Sequence, residues 1–246
     1  MRALPDEAEV SRALHDIYVP GAETRLRKEE SVKVRELVPL LAEIDSVLRR
    51  AARDRELLLV DAAAGRGYVS LLCTRLLSAG RRLRWVVIER EPRRARACAD
   101  LSGGAFDVRC ADVSDPAAWP AKPDLVVALH SCGPSADAVI ERAAAAEARA
   151  LLLVPCCVSK TVAGHAPASA AADALGITRQ SPVRRRFLES VIASRRTLQL
   201  EALGYQTEVV EFCPASITPQ NLLWRARRTA NPARMRRAAA QLSGAA

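Results

Sequence analysis

The sequence predicts an α/β protein: a doubly wound, mostly parallel sheet that ends in a C-terminal β-hairpin and is preceded by a helical cap. Three observations predict it. Short apolar runs suited to buried strands recur at 57–60, 85–88, 106–110, 124–129 and 150–154. Helical spacings fill the gaps between them, which is the rhythm of βαβ units and a parallel sheet. Three of the runs are closed by a carboxylate, at Asp61, Glu89 and Asp112. The expected organisation is a helical cap over 1–54, the sheet domain over 55–230 and a basic, alanine-rich tail or helix over 231–246.

The cap begins with a short amphipathic pattern, Val10, Leu14, Ile17 and Tyr18, stopped by Pro20-Gly21. A longer helix follows, with Val34, Leu37, Val38, Leu41, Ile44 and Leu48 on one broad face. Pro39 should bend or split it, since a mid-helix proline costs about 3 kcal/mol. Lys33 and Glu36 stand one helical turn apart, either as a solvated face or as a motif.

The run at 57–60 passes through Asp61 into the small-residue turn Ala62-Ala63-Ala64-Gly65-Arg66-Gly67. Tyr68, Val69, Leu71, Leu72, Leu76 and Leu77 then recur at helical spacing. A strand that turns through glycines into a helix start presents free backbone N–H groups, against which a ligand can lie at the carboxyl edge of a sheet. Glu89, at the tip of the next strand, can accept both hydroxyls of a ribose. Asp112 follows the third run.

This pattern resembles the class I S-adenosylmethionine (SAM) methyltransferases, whose first motif is an acidic residue followed by small-x-Gly-x-Gly. Asp61, Ala63, Gly65 and Gly67 carry it here, with Ala63 standing where many members have glycine. The resemblance implies a Rossmann-like methyltransferase sheet with SAM as cofactor. It also implies that Glu89 holds the ribose and Asp112 the adenine amino group. A nicotinamide dehydrogenase is the competing reading. Against it, Asp61 precedes the turn and Ser70 stands where that fingerprint has its third glycine or alanine.

Two elements bracket the later strands: His130-Ser131-Cys132-Gly133 after the fourth, and Pro155-Cys156-Cys157 after the fifth. Neighbouring strands would gather these side chains beside the cofactor. Zinc takes four such ligands. Buried thiols lining the pocket are the favoured reading, because adjacent cysteines rarely share an ion and no C-x-x-C spacing occurs, so no metal is expected. The His-x-Cys-Gly element, with Asp137 four residues after Gly133, resembles the signature of tRNA 2′-O-methyltransferases that act on the acceptor stem. Glu89-Arg90-Glu91-Pro92 and the arginines after it resemble an element of the same family. Pro155-Cys156-Cys157 and Thr218-Pro219-Gln220-Asn221 are more similar to methyltransferase-like proteins and to domains fused to glutathione-transferase-like partners. The resemblance covers roughly 32–228. The zinc-binding fingers of the tRNA enzymes, and the histidines that follow their paired cysteines, are missing from this sequence.

From 158 to 180 the chain turns small and polar, with Gly164, His165, Pro167 and Gly176, and reads as a loop or lid over the carboxyl edge. Ser181-Pro182 then caps a helix. Its apolar face is Val183, Phe187, Val191 and Ile192, with Arg184, Arg185, Arg195 and Arg196 largely off that face. Runs at 208–212 and 222–226 read as the closing hairpin.

At 246 residues, half of them hydrophobic, the chain can bury one good-sized core. No apolar stretch approaches the length that spans a bilayer, and the N-terminus has no signal core. Seven cysteines without scaffold spacing fit free thiols in a reducing, cytoplasmic setting. The net charge of +9 favours an anionic partner, although nearly all of it is arginine in an alanine-rich chain. The leading expectation is a SAM-dependent methyltransferase acting on RNA, foremost tRNA. His130 would be the general base, and Arg184, Arg185, Arg195 and Arg196 would hold phosphates. A small-molecule or protein acceptor and a non-catalytic SAM-binding module are the alternatives.

Overall fold

The computed structural model describes residues 4–18, 28–51, 54–218 and 220–244. The expected stop at Pro20-Gly21, and Pro219, lie outside them. Seven strands form one sheet: β1 (Glu56–Ala62), β2 (Arg82–Ile88), β3 (Asp107–Arg109), β4 (Leu125–Leu129), β5 (Ala150–Val154), β6 (Tyr205–Glu211) and β7 (Leu222–Arg228). Their order is β3-β2-β1-β4-β5-β7-β6. The first five pair in parallel, and β7 runs antiparallel between β5 and β6, closing the expected hairpin.

The order reverses between β1 and β4, so helices lie on both faces, and strand alternation builds two cores. Leu57 and Leu59 of β1, with Leu125, Val127 and Leu129 of β4, face the N-terminal helices α1 (Glu7–Tyr18), α2 (Lys28–Arg50) and α3 (Tyr68–Leu77). Val60, Ala62, Val126 and Ala128 face α5 (Pro134–Ala145) and α7 (Pro182–Ala202). A strand has side-chain period two, so a fully apolar strand must be covered on both sides. α4 (Pro92–Leu101) links β2 to β3. Glu91 caps it by accepting from the N–H groups of Arg93 and Arg94, with Pro92 in the first turn.

Three expectations are corrected here. Pro39 does not split α2, which runs on from Lys28 to Arg50. Leu37, Leu40, Leu41 and Ile44 are all fully buried beside it, and burying each stabilises by about 1.5–3 kcal/mol, enough to offset the proline. The segment 158–180 is not all loop. It holds α6 (His165–Ala174), whose Ala168 packs on Ile192 of α7. Val183 is 63% exposed and drops out of the apolar face of α7, whereas Ile192 is buried and Val191 packs beside it as expected, with Leu200 added. The chain from Pro232 to Gly244 is a helix, α8, which packs on α7 and buries Ala238.

Candidate active site

The carboxyl ends of β1, β2 and β4 converge at the point where the strand order reverses. Asp61 is buried at the end of β1, and its Oδ2 accepts the Ser70 N–H at 3.1 Å, which ties the strand to the start of α3. Burial pushes its pKa up to about 6, and the bonds from Ser70 oppose the rise. The turn that follows needs unusual backbone. Ala63 has φ 55°, a conformation that glycine adopts freely and alanine holds at about 1–2 kcal/mol. At Gly67, with φ 77°, a Cβ would press on Cys98 Sγ, so a larger residue would be strained in its backbone and would have to displace that side chain. A Cβ on Gly65 would meet nothing within 4 Å, which leaves open space beside the turn.

Glu89 sits at the tip of β2, with only 6% of its surface exposed. Its Oε2 accepts the Gly65 N–H at 2.7 Å and its Oε1 accepts the Glu91 N–H at 2.9 Å. The carboxylate is therefore fixed by backbone donors and keeps spare acceptor capacity at the mouth of the turn, as a ribose-binding group requires. Asp112 is held differently. It is exposed, accepts from Ser114 N and Oγ at 2.9 and 2.7 Å, and lies 3.8 Å from Arg90. Those bonds hold its carboxyl below the usual range. Tyr18 closes the turn from above. Its hydroxyl donates to the Arg66 carbonyl at 2.9 Å, its ring lies 4.6 Å from that of Tyr68, and Arg66 stacks over it at 4.8 Å.

His130 directly follows β4 with φ 60°, its N–H donating to the Val154 carbonyl at 2.8 Å. Its Nε2 is 2.8 Å from Oε2 of Glu36 on α2. Glu36 is 4% exposed and also accepts from Lys33 Nζ at 2.9 Å. Burial raises its pKa, but the bonds from His130 and Lys33 outweigh that and leave it below the ordinary value. Its second oxygen, Oε1, is buried with no hydrogen-bond partner among the described residues. The Lys33–Glu36 pair, which in sequence reads equally well as a solvated helix face, is thus part of the site.

Two of the four arginines expected to reach phosphates are corrected. Arg196 is 3% exposed and donates to Asp137 at 2.8 Å and to the Gly133 carbonyl at 3.3 Å, so it clamps the loop after His130. Arg184 is 7% exposed and donates to Asp173, Ser169 and the Ile177 carbonyl, fastening α6 to α7. The apolar stems and multiple donors of arginine let it serve as an interior clamp when carboxylates and carbonyls surround it. Arg185 remains exposed and Arg195 half-buried.

The cysteine expectation is corrected as well. Cys132 and Cys156 form a disulfide across Cα atoms 5.7 Å apart, while Cys157 is a free, exposed thiol. The parallel pairing Leu129↔Val154 brings the two loops together, as expected of neighbouring strands, but joins Cys132 and Cys156 in a bond where free thiols were expected.

Strand order, glycine turn and acidic strand tips define the class: this is a SAM-dependent methyltransferase. The chain belongs to the methyltransferase domain family whose pattern it matches over residues 32–164. No curated protein matches it. Among solved structures it is similar to magnesium protoporphyrin IX methyltransferase from Synechocystis PCC 6803 with bound SAM. The two are 14% identical, with 93% of this chain and 100% of that one covered and a TM-score of 0.50. It is also similar to the CMeT domain of the citrinin polyketide synthase, at 12% identity over 89% of this chain and 60% of that one, with a TM-score of 0.54. These likenesses agree with the fold.

Proposed function

We propose that the chain methylates RNA, tRNA foremost, with His130 as general base and Glu36 as the group that orients it. The His130–Glu36 pair carries this reading. The cofactor supplies a methyl group on a sulfonium, which leaves by in-line displacement. The protein's part is to position the acceptor, exclude water and take a proton. With Nε2 donating to Glu36, the imidazole keeps Nδ1 as its free, proton-accepting nitrogen. Glu89 would hold the ribose and Asp112 the adenine amino group, with Gly65 and Gly67 keeping the backbone close to the ligand.

The anionic acceptor is supported by a groove of about 820 Å³ between α6 and α7, lined by Lys160, His165, Arg179 and Arg185. It takes the place of the buried arginines as the site for phosphates. The same volume also suits a small molecule, which is the second reading. Methyl transfer from labelled SAM into total RNA, protein and small-molecule extract separates the two. Label in RNA that disappears in His130→Ala supports the proposal. Label confined to the small-molecule fraction overturns the acceptor while leaving the enzyme class standing.

A further inference from the structure

The three cysteines at the carboxyl edge have a chemistry that methyl transfer does not use. The sulfurs of Cys132, Cys156 and Cys157 all lie within 4.8 Å of one another. They stand on the loops leaving β4 and β5, which are locked together by the Leu129↔Val154 pairing and the bond from His130 N–H to the Val154 carbonyl. Sulfurs sharing a tetrahedral zinc at about 2.3 Å stand roughly 3.8 Å apart, so once the disulfide is reduced the Cys132 and Cys156 sulfurs must move apart, while the Cys157 sulfur, within 4.8 Å of both, closes by at most about 1 Å. The sequence argument against a metal was that adjacent cysteines rarely turn to one ion. Here Cys156 and Cys157 do point to a common place, because the third sulfur lies within reach of both. Ser131, the residue before Cys132, is fully buried and its Oγ has no hydrogen-bond partner among the described residues.

We infer that Cys132, Cys156 and Cys157, once the Cys132–Cys156 disulfide is reduced, form a three-thiolate site for a zinc-class divalent cation. A phosphine reductant supplies two electrons and leaves as phosphine oxide, one water molecule giving it the oxygen and giving the two thiols their hydrogens as the S–S bond breaks. A dithiol reductant gives up its own two hydrogens and two electrons and leaves as its own disulfide. Binding then releases three protons to solvent, one from each cysteine, and leaves three thiolates on the metal. Cys157 is exposed, so the fourth position faces solvent and stays open, as in zinc sites with three protein ligands. Oxidation and metal binding exclude one another, because both use the sulfurs of Cys132 and Cys156. The inference is independent of which acceptor the enzyme methylates.

The test uses the full chain purified without a metal-binding tag, reduced under anaerobic conditions, freed of reductant and titrated with Co²⁺. The expected result is one equivalent bound, with thiolate-to-cobalt charge-transfer absorption that Zn²⁺ displaces. Air- or disulfide-oxidised protein should bind none. Cys157→Ser changes an exposed residue and should fold. It should lose about a third of the charge-transfer intensity, one thiolate in three. Its affinity should fall by more than the roughly 10–100-fold typical of losing an outer-shell partner. Cys110→Ser, on another exposed thiol, should change neither quantity. Reduced protein with Cys132, Cys156 and Cys157 counted as free thiols that takes up no stoichiometric Co²⁺ would overturn the inference. So would a Cys157→Ser variant that binds as tightly as the parent.

Discussion

Nε2 of His130 and Oε2 of Glu36 meet at 2.8 Å across 94 residues of chain, joining the tip of β4 to the middle of α2. The helix that caps the sheet therefore also fixes the orientation of the candidate base. A general base contributes about 10²–10⁴-fold to rate. His130→Ala should lower turnover by at least about 10²-fold with little change in SAM affinity. Glu36→Gln should lower turnover by about tenfold or more, and the double variant should be no slower than His130→Ala alone, because the two act as a unit. Steady-state kinetics that separate kcat from the KM for SAM check this. Additive losses would mean that the pair is not coupled.

Glu89 anchors both the glycine turn and the proposed ribose contact. Hydrogen bonds to a charged group contribute about 1.5–3 kcal/mol, so Glu89→Ala should weaken SAM binding by about tenfold or more. Calorimetry reads this directly. Unchanged affinity would move the ribose elsewhere.

Asp61 and Glu36 should shape stability against pH with opposite signs. The folded pKa of Asp61 is raised from 3.8 to about 6, so the native state keeps a proton that the unfolded chain has released. Its contribution to stability therefore falls as pH rises from 3.8 to about 6, then stays level. Asp61→Asn should remove that slope, and the difference between denaturation curves of variant and parent across this window measures it. Glu36 has a lowered pKa, so its contribution is present above the ordinary value of 4.5 and is lost as pH falls through the lowered folded value. A parent-minus-variant difference that rises with pH between 3.8 and 6 would contradict the Asp61 assignment.

Breaking the Arg196–Asp137 pair should destabilise the whole domain, since removing one partner of a buried pair costs about 3–5 kcal/mol. Arg196→Ala should therefore unfold at markedly lower denaturant. Arg185→Ala should leave the midpoint almost unmoved, because that side chain is exposed.

If RNA is the acceptor, replacing Lys160, Arg179 and Arg185 should weaken RNA binding and flatten its dependence on salt, since each phosphate neutralised releases counterion. SAM affinity should stay the same. Titrations at several salt concentrations decide the matter, and an unchanged salt slope would place the phosphates on another surface.

What the sequence by itself determined was everything written in local period and local chemistry. The apolar runs marked β1, β2, β4 and β5, because a strand covered on both faces must be apolar throughout. Asp61, Gly65, Gly67 and Glu89 were legible because a tight turn at a strand end demands those residue types at fixed offsets. Tertiary structure decided what depends on which distant segments meet. A one-turn pair such as Lys33–Glu36 looks the same on a solvated face as in a site, and only the docking of α2 over β4 brings Glu36 to His130. Arginines in sequence look like surface charge, yet Asp137 and Asp173 draw Arg196 and Arg184 inside. Cys132 and Cys156 became partners through a parallel strand pairing whose register no local pattern records.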